Sequence, residues 1–120
     1  MASDTDAQLA RFADMLSAMG TQPRLSIVRL LLSAHPAGMV AGEIGAELAI
    51  PNSTLSHHLE KLKNEGLVKV RRESAFLRYT ANTDALRDLL GFLFAECCTG
   101  KQAVRPENIV PLQVLTENRK

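Results

Sequence analysis

The chain has 120 residues, of which 46% are hydrophobic and 22% are charged, and its formal net charge is +1. This size and composition are typical of one globular domain and exclude a disordered chain. The longest apolar run, residues 89–95, is far shorter than the roughly 18 residues of a membrane helix, so we expect no membrane partner.

The two cysteines, Cys97 and Cys98, are adjacent, and this excludes the disulfide framework of small secreted proteins. The N-terminal segment MASDTDAQ is acidic and lacks the basic-then-apolar pattern of a signal peptide. We therefore expect a cytoplasmic protein.

Positive charge is concentrated in residues 51–80, which contain six basic and three acidic side chains. Residues 1–50 contain three basic and five acidic side chains, and residues 81–120 contain five of each. A local basic block favours an anionic partner, although solvated protein faces often carry this much charge.

Four helices are predicted in the first half of the chain. The first covers residues 4–19, and its expected inward side chains are Leu9, Phe12, Ala13, Leu16 and Met19. The second runs from Pro23 to about Ala34, with inward Leu25, Val28, Leu31 and Leu32. A short third helix covers residues 41–48, and Pro51 separates it from a fourth over residues 52–64.

After the fourth helix the hydrophobic period falls to about 2, which predicts a β-hairpin. Its expected strands are residues 67–72 and 76–80, joined by residues 73–75. A last helix is predicted over residues 83–98, and it is apolar on more than one face. Such a helix needs cover on both sides, which we expect a second copy of the chain to provide. Residues 1–98 thus form the predicted domain, and residues 99–120 a polar, flexible tail.

The fourth helix has the composition of a helix that binds in the DNA major groove. Leu55, Leu59 and Leu62 form its expected buried stripe, which turns a polar set outward: Ser53, Ser56, His57, Glu60 and Asn64. Short side chains allow the helix to approach the groove closely, and Asn, Ser and His hydrogen-bond to base edges. His57 and His58 diverge by about 100° on a helix, which argues against a shared metal ion.

A short helix, a tight turn and a second helix with a polar outer face follow one another in the helix-turn-helix order. The hairpin behind them carries Arg71, Arg72 and Arg78 and is placed to act as a wing on the DNA backbone. The predicted fold is therefore mainly α with a small β-hairpin, a winged helix-turn-helix of order α-α-α-α-β-β-α. The plainer alternative is a helical domain whose polar face is only solvated.

The segment ELAIPNSTLSHHLEKLKNEGLVKVRR, followed by RYT, resembles the ArsR/SmtB family of winged helix-turn-helix repressors, and the resemblance runs from about residue 8 to residue 98. It implies a homodimer formed through the first and last helices. It also implies that Asn52, Ser53, Ser56 and His57 occupy base-contacting positions on double-stranded operator DNA. The wing departs from the family pattern, because residues 73–75 lack the glycine usual at its tip.

The sequence also suggests what controls DNA binding. Residues 39–45 lack the cysteine cluster of the family's arsenic sensors, and Asp84 has no downstream histidine for the family's zinc site. Two adjacent thiols such as Cys97 and Cys98 can bind one soft, thiophilic centre, but they can equally pack as small apolar residues.

The segment FLFAECC resembles the branch of the family that binds trivalent arsenic through a vicinal cysteine pair. No third cysteine follows, so the expected inducer is methylarsenite, which needs two thiolates, ahead of arsenite or antimonite. No permanent cofactor is expected.

Other functions stay open at this point. One is a regulator of the same family that responds to thiol oxidation, another metal or a small organic ligand, and another is a protein-interaction module. A thiol enzyme is disfavoured, because redox catalysis usually uses Cys-x-x-Cys at a helix N-terminus and no catalytic triad or phosphate loop is present.

Overall fold

The computed structural model describes residues 4–95. The elements are α1 (Asp4–Met19), α2 (Gln22–Ser33), β1 (Met39–Val40), α3 (Ala41–Leu48), α4 (Asn52–Asn64), β2 (Val68–Glu73), β3 (Phe76–Ala81) and α5 (Thr83–Phe94). The predicted mainly helical fold class is confirmed. The described residues divide into one compact unit that ends at Ala85 and a second that begins at Leu86.

The first unit contains a three-stranded antiparallel sheet rather than the predicted hairpin alone, with strand order β1-β3-β2. Met39 pairs with Tyr79 and Val40 with Arg78. A strand of two residues is too short to show an alternating pattern, so β1 could not be predicted from the sequence. Gly38 permits this pairing: its φ is +78°, and an added Cβ would lie only 2.4 Å from the carbonyl oxygen of Tyr79.

The buried face of α1 is rotated from the predicted one. Phe12, Met15 and Ala18 are buried, whereas Leu9 is 56% exposed and Leu16 is 45% exposed. The helix has apolar side chains on two faces, and spacing alone does not show which of them packs against its own chain.

The prediction for α2 is confirmed in part: Val28 and Leu31 are buried as predicted, and Ile27 is buried with them. The predicted inward residues Leu25 and Leu32 are both exposed. The helix begins one residue earlier than expected, at Gln22, because the hydroxyl of Thr21 caps it by accepting from the backbone N–H of Arg24 at 3.3 Å.

The last helix, α5, begins where predicted and is described as far as Phe94. Its apolar side chains lie on more than one face, since Leu89 is buried while Leu90 and Leu93 are exposed. The predicted continuation to residue 98 and the predicted tail lie outside the described residues. Within residues 4–95, no helix is long and apolar enough to cross a membrane.

Candidate nucleic-acid interface

A tight turn sets α4 against α3. Helix α3 ends at Ala49, which takes the left-handed conformation at φ 55° and ψ 46°, and the N–H of Ile50 donates to the carbonyl of Gly45 at 3.0 Å. Pro51 then starts α4, and its carbonyl accepts from the N–H of Leu55 at 2.8 Å. A Cβ on Gly45 would lie 3.1 Å from the carbonyl oxygen of Ile50, so glycine allows the close approach of turn and helix.

Three leucines hold α4 in place, as predicted. Leu55, Leu59 and Leu62 are all at most 2% exposed. The predicted outward residues are all exposed: Ser53, Ser56, His57, Glu60 and Asn64. Asn52, which the family resemblance places at a base-contacting position, is exposed as well. At 100° per residue, Ser53, Ser56, His57, Glu60 and Asn64 cover about 100° of the helix circumference on the side away from the leucines, whereas Asn52 lies about 20° from the direction of Leu59.

The N-terminal half of α4 is the part of the helix richest in small polar groups. Asn52, Ser53, Ser56 and His57 lie within its first six residues. The first-turn N–H groups have no acceptor within the helix, and Pro51 supplies no side-chain cap. Base edges and phosphate oxygens are both suitable partners for such a surface.

The two adjacent histidines have different surroundings. His57 is exposed, whereas His58 is half-buried with its Nδ1 3.4 Å from Nη1 of Arg24. Arg24, on α2, also donates through Nε to the carbonyl of Ala18 on α1, so it links these two helices to α4. Burial lowers the pKa of His58, and the nearby charges of Arg24 and His57 lower it further. Neutral His58 can therefore accept from Arg24.

The three predicted wing arginines lie on one hairpin but on two of its faces. Arg71 pairs directly with Arg78, and Arg72 pairs with Leu77 on the opposite face. Glu73 shares the face of Arg71 and Arg78 and forms ion pairs with both. Arg72 donates from Nη1 to the carbonyl of Ser74 at 3.5 Å, a long contact that leaves its exposed head toward solvent.

The wing loop is one residue shorter than predicted. Glu73 belongs to β2 and pairs with Phe76, so the loop consists of Ser74 and Ala75. Ser74 has φ 55° and occupies the place where such a loop favours glycine.

Several residues that shape this surface were not predicted from the sequence. Arg24, Gly38 and Glu73 make the contacts described above, and Tyr79 lies on the hairpin face that carries Arg72. Burial raises the pKa of Tyr79, with a further contribution from the charge of Glu60 on α4. The position of Glu73 among basic residues could have indicated an ion pair in the wing. The roles of Arg24, Gly38 and Tyr79 depend on tertiary contacts that the sequence does not show.

The predicted arsenical ligands, Cys97 and Cys98, lie outside the described residues. Within residues 4–95, no group of three or more His, Cys, Asp or Glu side chains is arranged to hold a metal ion.

Known transcriptional regulators resemble this chain in sequence and in fold. A family profile described as a helix-turn-helix domain matches residues 24–71. The nodulation protein NolR of Rhizobium meliloti is 35% identical over 88 residues, which are 73% of this chain and 68% of NolR. The structure of HlyU from Vibrio cholerae is 32% identical with a TM-score of 0.59, covering 74% of this chain and 97% of HlyU. HlyU of this species is described as a transcriptional activator.

A solved structure from Mycobacterium bovis is described as the homodimeric winged helix-turn-helix DNA-binding domain of a possible ArsR-family transcriptional regulator. It is 25% identical with a TM-score of 0.65, covering 80% of this chain and 84% of that domain.

The helix pair α3–α4 followed by the β2–β3 wing defines a winged helix-turn-helix protein. The chain belongs to the ArsR/SmtB family of transcriptional regulators, which confirms the family predicted from the α4 and wing sequence.

Proposed function

We propose that this protein is a cytoplasmic, homodimeric repressor that binds operator DNA and is released from it by a trivalent arsenical. The observation that carries the DNA-binding part is the division of α4 into two sides. Three buried leucines fix one side, and the other presents only exposed polar side chains over its first two turns. This arrangement supports a helix that presents its hydrogen-bonding groups to a major groove.

On operator DNA, α4 enters the major groove, and its N-terminal residues contact base edges through Asn52, Ser53, Ser56 and His57. The wing contacts phosphates through Arg71, Arg72 and Arg78. Base contacts set sequence preference and phosphate contacts set register and much of the affinity.

Dimerisation through α1 and α5 is supported by the apolar side chains that each helix exposes. Leu9 and Leu16 are seven residues apart on α1 and therefore share one stripe. Leu90 and Leu93 form a second exposed pair on α5. The M. bovis domain is homodimeric. A homodimer of this chain would present two copies of α4 to half-sites about 34 Å apart.

Arsenical sensing is assigned to Cys97 and Cys98. Methylarsenite, CH3As(OH)2, reacts with two thiols to form two As–S bonds and release two water molecules, and its third valence stays on carbon. Two thiolates therefore complete its coordination, whereas inorganic arsenite would need one more. The ligand must bind the DNA-free dimer more tightly than the DNA-bound dimer, and such couplings are usually about 1–3 kcal/mol.

A gel shift with DNA from upstream of the gene, at two salt concentrations, tests DNA binding. We expect a specific complex that weakens as salt rises. Asn52→Ala should cost about 1–3 kcal/mol of operator binding and relax the preference at one base pair. Asn64→Ala is the matched control, since it removes the same side chain from the far end of α4. If the two substitutions weakened operator binding equally, the base contacts could not be assigned to the N-terminal half of α4.

The inducer is tested by adding methylarsenite and arsenite separately to the reduced protein on DNA. Cys97→Ser and Cys98→Ser should each keep operator binding and lose release by methylarsenite. Release of either variant by the arsenical would refute the thiol assignment. If an oxidant or another metal releases the wild type while both arsenicals fail, the alternative signal is the correct one.

A further inference from the structure

The wing contains a carboxylate that holds two of its arginines. Oε2 of Glu73 accepts from Nε of Arg71 at 3.1 Å and from Nη2 of the same arginine at 2.5 Å. Its other oxygen, Oε1, accepts from Nε of Arg78 at 2.8 Å. Each carboxylate oxygen is thus engaged by a guanidinium group.

The two arginines differ in how firmly they are held. The side chain of Arg78 is 26% exposed, and its Nη1 also donates to the carbonyl of Gly38 at 3.3 Å. The side chain of Arg71 is 63% exposed, and Glu73 is its hydrogen-bond acceptor. Hydrogen bonds from Arg78 and Arg71 lower the pKa of Glu73, so the carboxylate stays charged at neutral pH.

We propose that Glu73 masks Arg71 and Arg78 against DNA phosphates and so lowers the affinity of the wing for DNA of arbitrary sequence. Carboxylate and phosphate offer a guanidinium the same kind of charged, two-oxygen acceptor. A phosphate must therefore displace Glu73 before it can bind either arginine. Arg72 lies on the other face of the hairpin and is outside this arrangement.

Masking matters because binding to arbitrary sequence depends on phosphate contacts, whereas operator preference depends on base contacts by α4. A wing with three unmasked arginines would hold the dimer on the excess of non-operator DNA. Glu73 thereby limits the part of the DNA affinity that does not depend on base sequence. This inference rests on the proposed DNA-binding function.

The test replaces the carboxylate by its neutral isostere, Glu73→Gln, and measures binding to a random-sequence duplex over a range of salt. We expect tighter binding at low salt and a slope of log affinity against log salt that is steeper by about 2 per protomer, about 1 for each released arginine. Asp14→Asn, an exposed site on α1, makes the same charge change away from the wing and should leave the slope unchanged. An unchanged slope for Glu73→Gln overturns the proposal.

Arg71→Ala provides a second test, and its first measurement leaves Glu73 in place. With Glu73 present, this substitution should lower the slope by much less than the roughly 1 expected for an open phosphate contact. In the Glu73→Gln background it should lower the slope by about 1. Equal effects in both backgrounds overturn masking.

Elution from a heparin column separates this inference from the proposed function, since heparin is a polyanion without bases. Later elution of Glu73→Gln together with no duplex binding by any form would uphold masking and refute DNA binding. Operator binding by the wild type with identical heparin elution of both forms would refute masking alone.

Discussion

Gly38 and Gly42 provide a paired test of the fold, because alanine should have opposite effects at these two positions. At Gly38, φ is +78°, and the new Cβ would lie 2.4 Å from the carbonyl oxygen of Tyr79 and 2.6 Å from Cγ2 of Thr80. The left-handed conformation costs a side-chain-bearing residue about 1–2 kcal/mol. Relief of the backbone contact costs about 1–3 kcal/mol more. We expect Gly38→Ala to lower the free energy of unfolding by about 2–5 kcal/mol.

At Gly42, in the first turn of α3, a Cβ would meet no atom within 4 Å. Alanine there restricts the unfolded chain and favours the helix, so Gly42→Ala should stabilise the protein by about 0.5 kcal/mol. Urea unfolding followed by circular dichroism, at one fixed protein concentration, measures both changes. If Gly38→Ala were as stable as the wild type, β1 would not approach β3 as described.

Three further predictions concern α4 and its surroundings. Because the pKa of His58 is lowered in the folded protein, the unfolded state binds more protons as pH falls below about 6.5, and the free energy of unfolding decreases in acid. His58→Gln should therefore reduce the change of the urea midpoint between about pH 7 and pH 5. An unchanged pH dependence in this variant would show that His58 is not its cause. Ala49→Gly removes left-handed strain at the end of α3 and should raise the free energy of unfolding by about 0.5–1 kcal/mol in the same titration, whereas destabilisation would argue against that turn geometry. Leu59→Ala should cost about 3–5 kcal/mol, because the leucine is fully enclosed, and a loss below 1 kcal/mol would show that α4 is not anchored there.

The sequence predicted α4 well because its apolar residues form one stripe. With leucines at positions 55, 59 and 62 and polar residues elsewhere, only one orientation buries the leucines. Helices α1 and α2 have apolar residues on two faces, so the same reasoning selected Leu9 and Leu25 where the structure buries Met15 and Ile27. To predict the buried face of such a helix, one must know which neighbouring element covers each of its apolar faces.

The wing illustrates a second limit. Its arginines were visible in the sequence, but the pairing of Arg71 with Arg78 and the inclusion of Glu73 in β2 follow from a loop of two residues. A three-residue loop would have left Glu73 outside the strand. Since side chains alternate between faces, a difference of one residue decides which groups meet.

Buried and outward-facing residues of α4 occupy separate positions, and this has an evolutionary consequence. The leucines that hold the helix and the polar residues proposed to meet DNA occupy different positions, so exchange of the latter leaves the hydrophobic anchor intact. Surface substitutions away from special contacts usually change stability by less than about 0.5 kcal/mol. New operator preferences can therefore arise on this scaffold by drift at a few outward positions, without compensating changes in the interior.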